Sequence, residues 1–291
     1  MTPDAEFDSL VPQQHFDRRN FIVTSLGAGF ALAVQPVMAQ TAIKTGSDGL
    51  TAGEVKVPVH DGGMVAYCAR PANMAKPPVV LVISEIFGVH EYLRDTCRRL
   101  AQQGYCALAP ELFARQGDPR KYESVGDVLA NVTSKTPDAQ VMRDLDACVA
   151  WATEQGFDTR RLAITGFCWG GRITWLYCAH SPQVKAGVAW YGRLVGVVNE
   201  FTPRHPTDVT GELKAPVLGL YGGLDTGIPL DTVEAMEKKL ATGSLAAQAS
   251  LIEVYDNAPH AFHADYRPSY RKEEAEDGWR KMLAWLGRNL V

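Results

Sequence analysis

The chain has little that would tie it to nucleic acid, to a membrane interior or to a structural metal. Its 29 Lys and Arg are outnumbered by 33 Asp and Glu, a formal net charge of −4. That balance gives no basis for phosphate-backbone or anionic-membrane binding. None of its six cysteines stands in a Cys-x-x-Cys pair, which argues against a thioredoxin-like site or a zinc ribbon. An even cysteine count leaves disulfides open in an oxidising compartment, but spacing cannot pair them. Cys68, Cys97, Cys106, Cys148 and Cys178 are expected mostly as small buried apolar residues. No apolar run reaches the roughly 20 residues of a comfortable membrane span. Neither an internal repeat nor a low-complexity linker follows residue 50. With 46% apolar and 21% charged residues, the composition is that of an ordinary globular protein, and one domain is the simplest organisation.

The N-terminus reads as a processing signal. Residues 1–17 are polar and irregular, Arg18-Arg19 introduces an apolar stretch that runs to Val34, and Val37-Met38-Ala39 forms a small-x-Ala exit before Gln40. A charged start, a short apolar core and a small-residue exit describe a secretory signal. The paired arginines point to the twin-arginine route. A basic leader without this role, or an uncleaved anchor, is the plainer alternative. The expected organisation is a signal over 1–39, a linker over 40–54 and one domain over 55–291, in a periplasmic or secreted protein whose precursor meets the twin-arginine export machinery.

From about residue 50, short apolar runs alternate with longer amphipathic ones. Val79-Val80-Leu81-Val82-Ile83 is β-branched and continuous, as in a central parallel strand buried on both faces. Further strands are expected over 105–109, 161–165, 186–191, 217–221 and 249–255. Helices are expected over 93–103, 139–154, 172–177, 232–240 and 273–290. Gly104 and Gly156 stop the first two. Alternation of this kind implies an α/β fold, a mostly parallel sheet with helices on both faces. Residues 110–138 break the rhythm with Gly117, Pro119, Gly126 and Pro137. Such an excursion is either a lid or substrate-binding wall, or a plain surface insertion.

The most specific motif is Gly166-Phe167-Cys168-Trp169-Gly170-Gly171, between the 161–165 strand and the helix that follows. Strand, Gly-x-nucleophile-x-Gly turn and helix make a nucleophile elbow, whose glycines tolerate crowding that a Cβ would not. In this layout an acid and then a histidine follow the nucleophile along the chain. Asp225 comes just after the 217–221 strand, and His260 just after the last strand. Three residues in that order, each past an apolar strand, point to nucleophilic acyl transfer. His263 lies three positions from His260, but His-x-x-His on a loop with no further ligand cluster is a weak zinc signal. No metal or cofactor is expected. The contexts of His90, His180 and His205 are polar, and these histidines are expected to be solvated.

The chain resembles the dienelactone hydrolase family, within the α/β-hydrolase fold, over roughly residues 55–290. The resemblance rests on Ser84-Glu85-Ile86-Phe87-Gly88, Leu112-Phe113-Ala114-Arg115-Gln116, the cysteine elbow, Gly222-Gly223-x-Asp225 and His260-x-Phe262. It implies a Cys168–His260–Asp225 triad and a small ester or lactone substrate. It further implies an oxyanion hole made by the backbone N–H groups of Ile86 and Trp169, and a Glu85 carboxylate that contacts the resting thiol and is displaced by substrate. Capping of the following helix is the plainer role for Glu85. One position departs from the family pattern. Members acting on dienelactones carry an arginine shortly after the histidine, whereas here Ala261, Phe262, His263 and Ala264 follow, and Arg267 is the first arginine. Arg115, Arg120 and Tyr122 in the excursion are the remaining substrate-binding candidates. A monomer or small homo-oligomer is expected. Readings from other classes are a non-catalytic binder of a small ligand, and a redox-responsive protein that uses Cys168 as a sensor thiol.

Overall fold

The computed structural model describes residues 41–122 and 124–291; the expected leader, 1–39, lies outside them. Eight strands form one sheet: β1 (Leu50–Val59), β2 (Gly62–Pro71), β3 (Pro78–Ile83), β4 (Cys106–Pro110), β5 (Asp158–Phe167), β6 (Val184–Trp190), β7 (Val217–Gly222) and β8 (Leu251–Tyr255). Their order across the sheet is β1-β2-β4-β3-β5-β6-β7-β8. β1, β2 and β4 pair antiparallel, and from β4 to β8 every pairing is parallel. The α-helices among the described residues are α1 (Glu91–Gln102), α2 (Val125–Asn131), α3 (Asp138–Glu154), α4 (Trp169–His180), α5 (Leu230–Ala241), α6 (Leu245–Gln248) and α7 (Lys272–Asn289). This is the mostly parallel α/β architecture that the alternating pattern implies.

The centre of the sheet follows directly from side-chain type. All of β3 is buried, because it lies between β4 and β5 with helices over both faces. Arg99 of α1 lies over the ring of Trp279 of α7, so these two helices share one face. The crossovers β3–α1–β4 and β4–α3–β5 run in opposite directions across the sheet. With right-handed connections they therefore fall on opposite faces. α3 and α4 pack together there, α4 against β5 and β6.

Two regions differ from the expected organisation. β1 begins at Leu50, inside the segment suggested as linker. It is an edge strand, and its side chains are largely exposed or half-buried, so it lacks the continuous apolar signature of β3. It turns into β2 through His60 and Asp61, with Val59 opposite Gly62. Ahead of β1, the Thr45 hydroxyl donates to Asp95 Oδ2 of α1 at 3.1 Å. In the excursion, α2 is capped by Ser124, whose hydroxyl oxygen accepts from Asp127 N–H. Its Val125 and Val128 pack with Ile86 and Phe87 in a small second core. The excursion is thus a packed part of the domain, set over the loop that carries Glu85.

The strand ends place the candidate residues. Glu85 and Ile86 follow β3, Cys168 follows β5, Tyr191 follows β6, and Asp225 lies just past β7. His260 lies just past β8, so all six gather at the carboxyl edge of the sheet, where open α/β sheets bind their ligands.

Candidate active site

The turn at Cys168 is as tight as its glycines suggest. A Cβ on Gly166 would lie 2.2 Å from the carbonyl oxygen of Gly170, and one on Gly170 would lie 2.4 Å from that of Ile83. Cys168 itself has φ 55°, a conformation that costs a non-glycine residue about 1–3 kcal/mol and collects at functional sites. Its N–H donates to the Trp190 carbonyl at 3.0 Å, and its own carbonyl accepts from Arg172 N–H at 3.2 Å. It thereby ends β5 and caps α4. A thiolate at a helix N-terminus is favoured by the helix dipole and the unsatisfied N–H groups there.

His260 and Asp225 are brought to this turn from the last two strands. His260 Nδ1 lies 2.6 Å from Asp225 Oδ2. The other carboxylate oxygen accepts from Gly227 N–H at 2.9 Å and Ile228 N–H at 3.2 Å, which fixes the carboxylate plane. An ionised Asp225 only accepts, so Nδ1 carries a hydrogen and Nε2 is left to face the thiol. Cys168 and His260 are each only 6% exposed. Burial disfavours the imidazolium, but the adjoining Cys168 and Asp225 override it and hold the His260 pKa well above its ordinary value. Both neighbours therefore favour the charged form of the ring against its burial. Positive φ recurs around the histidine, at Ala261 (58°) and Tyr191 (39°). The Tyr191 ring meets His260 edge-on, with centroids 5.1 Å apart.

Glu85 is 2% exposed. The hydrogen bond it accepts comes from the Tyr266 hydroxyl at 2.9 Å, and His90 Nε2 lies 4.0 Å away. Burial, then the charges of Arg267, Arg120 and Arg94, hold the His90 pKa well below its ordinary value, so His90 is a neutral neighbour. Tyr191 links the two regions electrostatically. Burial, then Tyr92 and Glu85, and more weakly Cys168, push its phenol well above the usual range. Tyr92, Tyr191 and Tyr266 were not among the candidates read from the sequence. Tyr191-Gly192 carried a usable signal, since it directly follows β6 and a Cβ on Gly192 would lie 2.3 Å from the Gly171 carbonyl carbon.

A cavity of about 550 Å³ opens onto Cys168 and His260. Ile86, Trp169, Leu129, Ile228, Val195 and Val197 supply its apolar walls, and Trp169 packs against Phe113. The three substrate-binding candidates in the excursion are not among its lining residues. Arg115 bonds to Asp61 of the β1–β2 turn and to Asp144 of α3. Arg120 pairs with Asp118 and Glu111. Tyr122 packs against the second core. The arginines that do line the cavity, Arg172 and Arg193, follow the elbow and β6. The histidine expectations need correcting. His90 and His205 are buried, His90 against Tyr266 and His205 under Gly196 and Val197, and of the three only His180 is exposed, paired with Asp146. His263 is buried, with Nδ1 2.5 Å from the Tyr92 hydroxyl. Among the described residues no group of His, Cys, Asp and Glu could hold a metal ion. All six cysteines are free and buried. No described helix is long and apolar enough to cross a membrane.

Comparison with known proteins agrees with this architecture. The model of the "Dienelactone hydrolase family" matches residues 64–290. A protein of Methylorubrum extorquens named "Putative carboxymethylenebutenolidase" is 58% identical over 284 residues, 97% of each chain. One of the same name from Escherichia coli K12 is 50% identical over 266 residues, covering 91% of this chain and 97% of its own. The crystal structure of a "Putative Dienelactone Hydrolase" from Klebsiella pneumoniae shares 56% identity with a TM-score of 0.79, over 82% of this chain and 99% of that one. The acylaminoacyl peptidase of Pyrococcus horikoshii, at 18% identity and a TM-score of 0.65, shares the fold alone. With most of its length matched by the family model and by close relatives, this chain belongs to the dienelactone hydrolase family and is a hydrolase of the α/β-hydrolase fold.

Proposed function

We propose that the protein cleaves a small ester or lactone through a thioacyl-enzyme formed on Cys168. The observation that carries this reading is the pairing of a strained elbow cysteine with an imidazole whose far nitrogen is held 2.6 Å from a buried aspartate. In the first half-reaction the thiolate attacks the carbonyl carbon. The oxyanion that forms accepts from the backbone N–H groups of Ile86 and Trp169, both of which line the cavity. Collapse expels the alkoxide, which takes its proton from His260. In the second half-reaction His260 removes a proton from water, and the hydroxide attacks the thioester. The thiolate leaves and the acid departs, while Asp225 keeps Nδ1 protonated and the ring in place throughout. A lactone follows the same steps, its alcohol remaining tethered to the acyl group.

Glu85 is assigned as the gate on the thiol, with Tyr266 as the donor that holds its carboxylate. An accessible cavity at Cys168 weighs against a purely ligand-binding role. Against a sensor role, Cys178 is fully buried and ten helical residues away, about 15 Å along the axis. The reading is tested on an activated ester and an enol-lactone with the purified enzyme. Cys168→Ala abolishes turnover, and His260→Ala lowers kcat/KM by roughly 10³-fold or more. Wild-type turnover in Cys168→Ala would refute it. We also propose that the precursor is exported through the twin-arginine pathway, on the strength of Arg18-Arg19 and the apolar stretch behind them. Replacing both arginines by lysine should retain a reporter fusion in the cytoplasm, and unchanged export would exclude that route.

A further inference from the structure

One wall of the cavity is a loop without regular secondary structure, residues 191–205. It contributes Val195, Gly196, Val197, Asn199 and Thr202 to the lining. Val197 is 79% exposed, so apolar packing alone does not hold this segment down. Its anchorage is polar and converges on one histidine. His205 is buried, and its ring packs so closely under the loop that a Cβ on Gly196 would lie 2.5 Å from His205 Cε1. His205 Nε2 lies 3.2 Å from the Val197 carbonyl oxygen. His205 Nδ1 lies 3.3 Å from Arg172 Nε.

Those two partners determine the tautomer. A carbonyl can only accept, so Nε2 carries the hydrogen. A guanidinium can only donate, so Nδ1 is a bare lone pair. Arg172 is itself immobilised. Its two terminal nitrogens bond to Asp138 Oδ1 and Oδ2, each at 2.7 Å, and one also donates to the Arg204 carbonyl at 2.7 Å. The Asp138 N–H in turn donates to the Phe201 carbonyl at 2.8 Å. Arg172 lies one turn beyond Cys168 on α4, and Asp138 opens α3. The loop is therefore fastened at Val197, Phe201 and Arg204 to the helix that carries the nucleophile.

We propose that His205, neutral and protonated on Nε2, is a positioning residue that locks the 191–205 loop onto the nucleophile helix through Arg172 and thereby sets the pocket wall that selects bulky acyl groups. The inference takes its assay from the thiol-hydrolase reading above. Val195 and Val197 line the same cavity as Cys168, so on this proposal a long acyl group is more sensitive to their placement than a short one.

The lock has a defined pH sense. The charged groups around His205 are Arg172 from α4, Asp138 from α3, and Arg204 and Asp208 flanking it in sequence. Asp208 accepts from the His205 N–H at 2.9 Å, and Arg204 is paired with Glu212. Burial lowers the His205 pKa from 6.5, the Val197 carbonyl raises it, and Arg172 lowers it again, with a net downward shift. The neutral lock is therefore complete above pH 6.5 and is lost as pH falls through the depressed value, when Nδ1–H meets the Arg172 N–H.

The test compares KM for a nitrophenyl octanoate with KM for the acetate. Both use the same thiol, so the ratio cancels the titration of the triad. In the wild type the octanoate-to-acetate KM ratio rises about five-fold between about pH 8 and a pH on the acid side of the depressed His205 value. His205→Ala shows the raised ratio at both pH values. His205→Gln, with an amide oxygen for Arg172 and an amide N–H for Val197, keeps the low ratio at both. A ratio independent of pH in the wild type, or a His205→Gln variant that still shows the rise, overturns the proposal even if His205→Ala fails to fold. Absence of any ester turnover by the wild type would instead count against the hydrolase mechanism itself.

Discussion

The two ends of α4 carry the same side chain in opposite circumstances. Cys168 stands at the N-terminus, on a positive-φ turn, facing an open cavity and the His260–Asp225 pair. Cys178 lies in the last turn, fully buried against β6, where burial pushes its thiol well up from the ordinary value. The helix dipole favours a thiolate at the first position and opposes it at the second. Cys97 and Cys148, each within a helix, share the burial of Cys178, and it is chiefly burial that raises them. Position relative to a helix end, a histidine and a cavity therefore separates the cysteine proposed as nucleophile from a packing cysteine, although the residue is the same.

The strongest way to break this contrast is to alkylate the native protein. Brief iodoacetamide treatment at neutral pH should modify Cys168 at least about a hundred-fold faster than any other cysteine, as read by peptide mapping. Comparable labelling of Cys178 would erase the distinction. His260→Ala should slow the Cys168 reaction by roughly ten-fold or more, because the thiolate loses its counter-cation.

A smaller change sharpens the comparison at the same end of the helix. Glu85→Gln keeps the size of the side chain and removes its charge near Tyr191 and Tyr266. The pH profile of Cys168 alkylation should shift, with a change in rate of about three- to ten-fold near neutrality. Tyr266→Phe should change the profile too, since it deletes the donor to Glu85 Oε2. A profile identical to that of the wild type in Glu85→Gln would remove Glu85 from any gating role.

The elbow end of α4 was far more legible in sequence than the walls around it. β3, β5, β6 and β7 are apolar because they are buried between helices, and Gly166 and Gly170 are glycine because backbone passes within contact distance. Such constraints are local and leave a readable trace. β1 did not, because an edge strand with exposed alternate residues has no continuous apolar run, although Asp61-Gly62 between two strand-like stretches was an available hairpin cue. Arg115 illustrates the harder case. Its position in the family-like segment suggests substrate, yet Asp61 and Asp144 claim its guanidinium. Both carboxylates are remote along the chain, so nothing near Arg115 announces them. His205 fails partly for the same reason: Arg172 is remote along the chain, while Gly196 and Val197 are near in sequence but bury the ring only through the path of an irregular loop.

At the packing end of the helix, the expected effect is on stability alone. Gly187 is in the middle of β6, and a Cβ there would lie 2.6 Å from Cys178 Sγ and 3.1 Å from methyl carbons of Thr174 and Val217. Gly187→Ala should therefore destabilise the fold by about 1–3 kcal/mol, the usual cost of overpacking a filled core. Cys178→Ala alone should cost about 1 kcal/mol by opening a small void. If Cys178 serves only to fill that space, the double variant relieves the clash, and its loss should fall short of the summed single losses by at least about 0.5 kcal/mol. Urea unfolding of the four proteins measures this directly. Strict additivity would mean that the sulfur is not what the new methyl meets. Loss of ester hydrolysis in Cys178→Ala, with its stability nearly intact, would give the packing cysteine a chemical role and collapse the contrast between the two ends of α4.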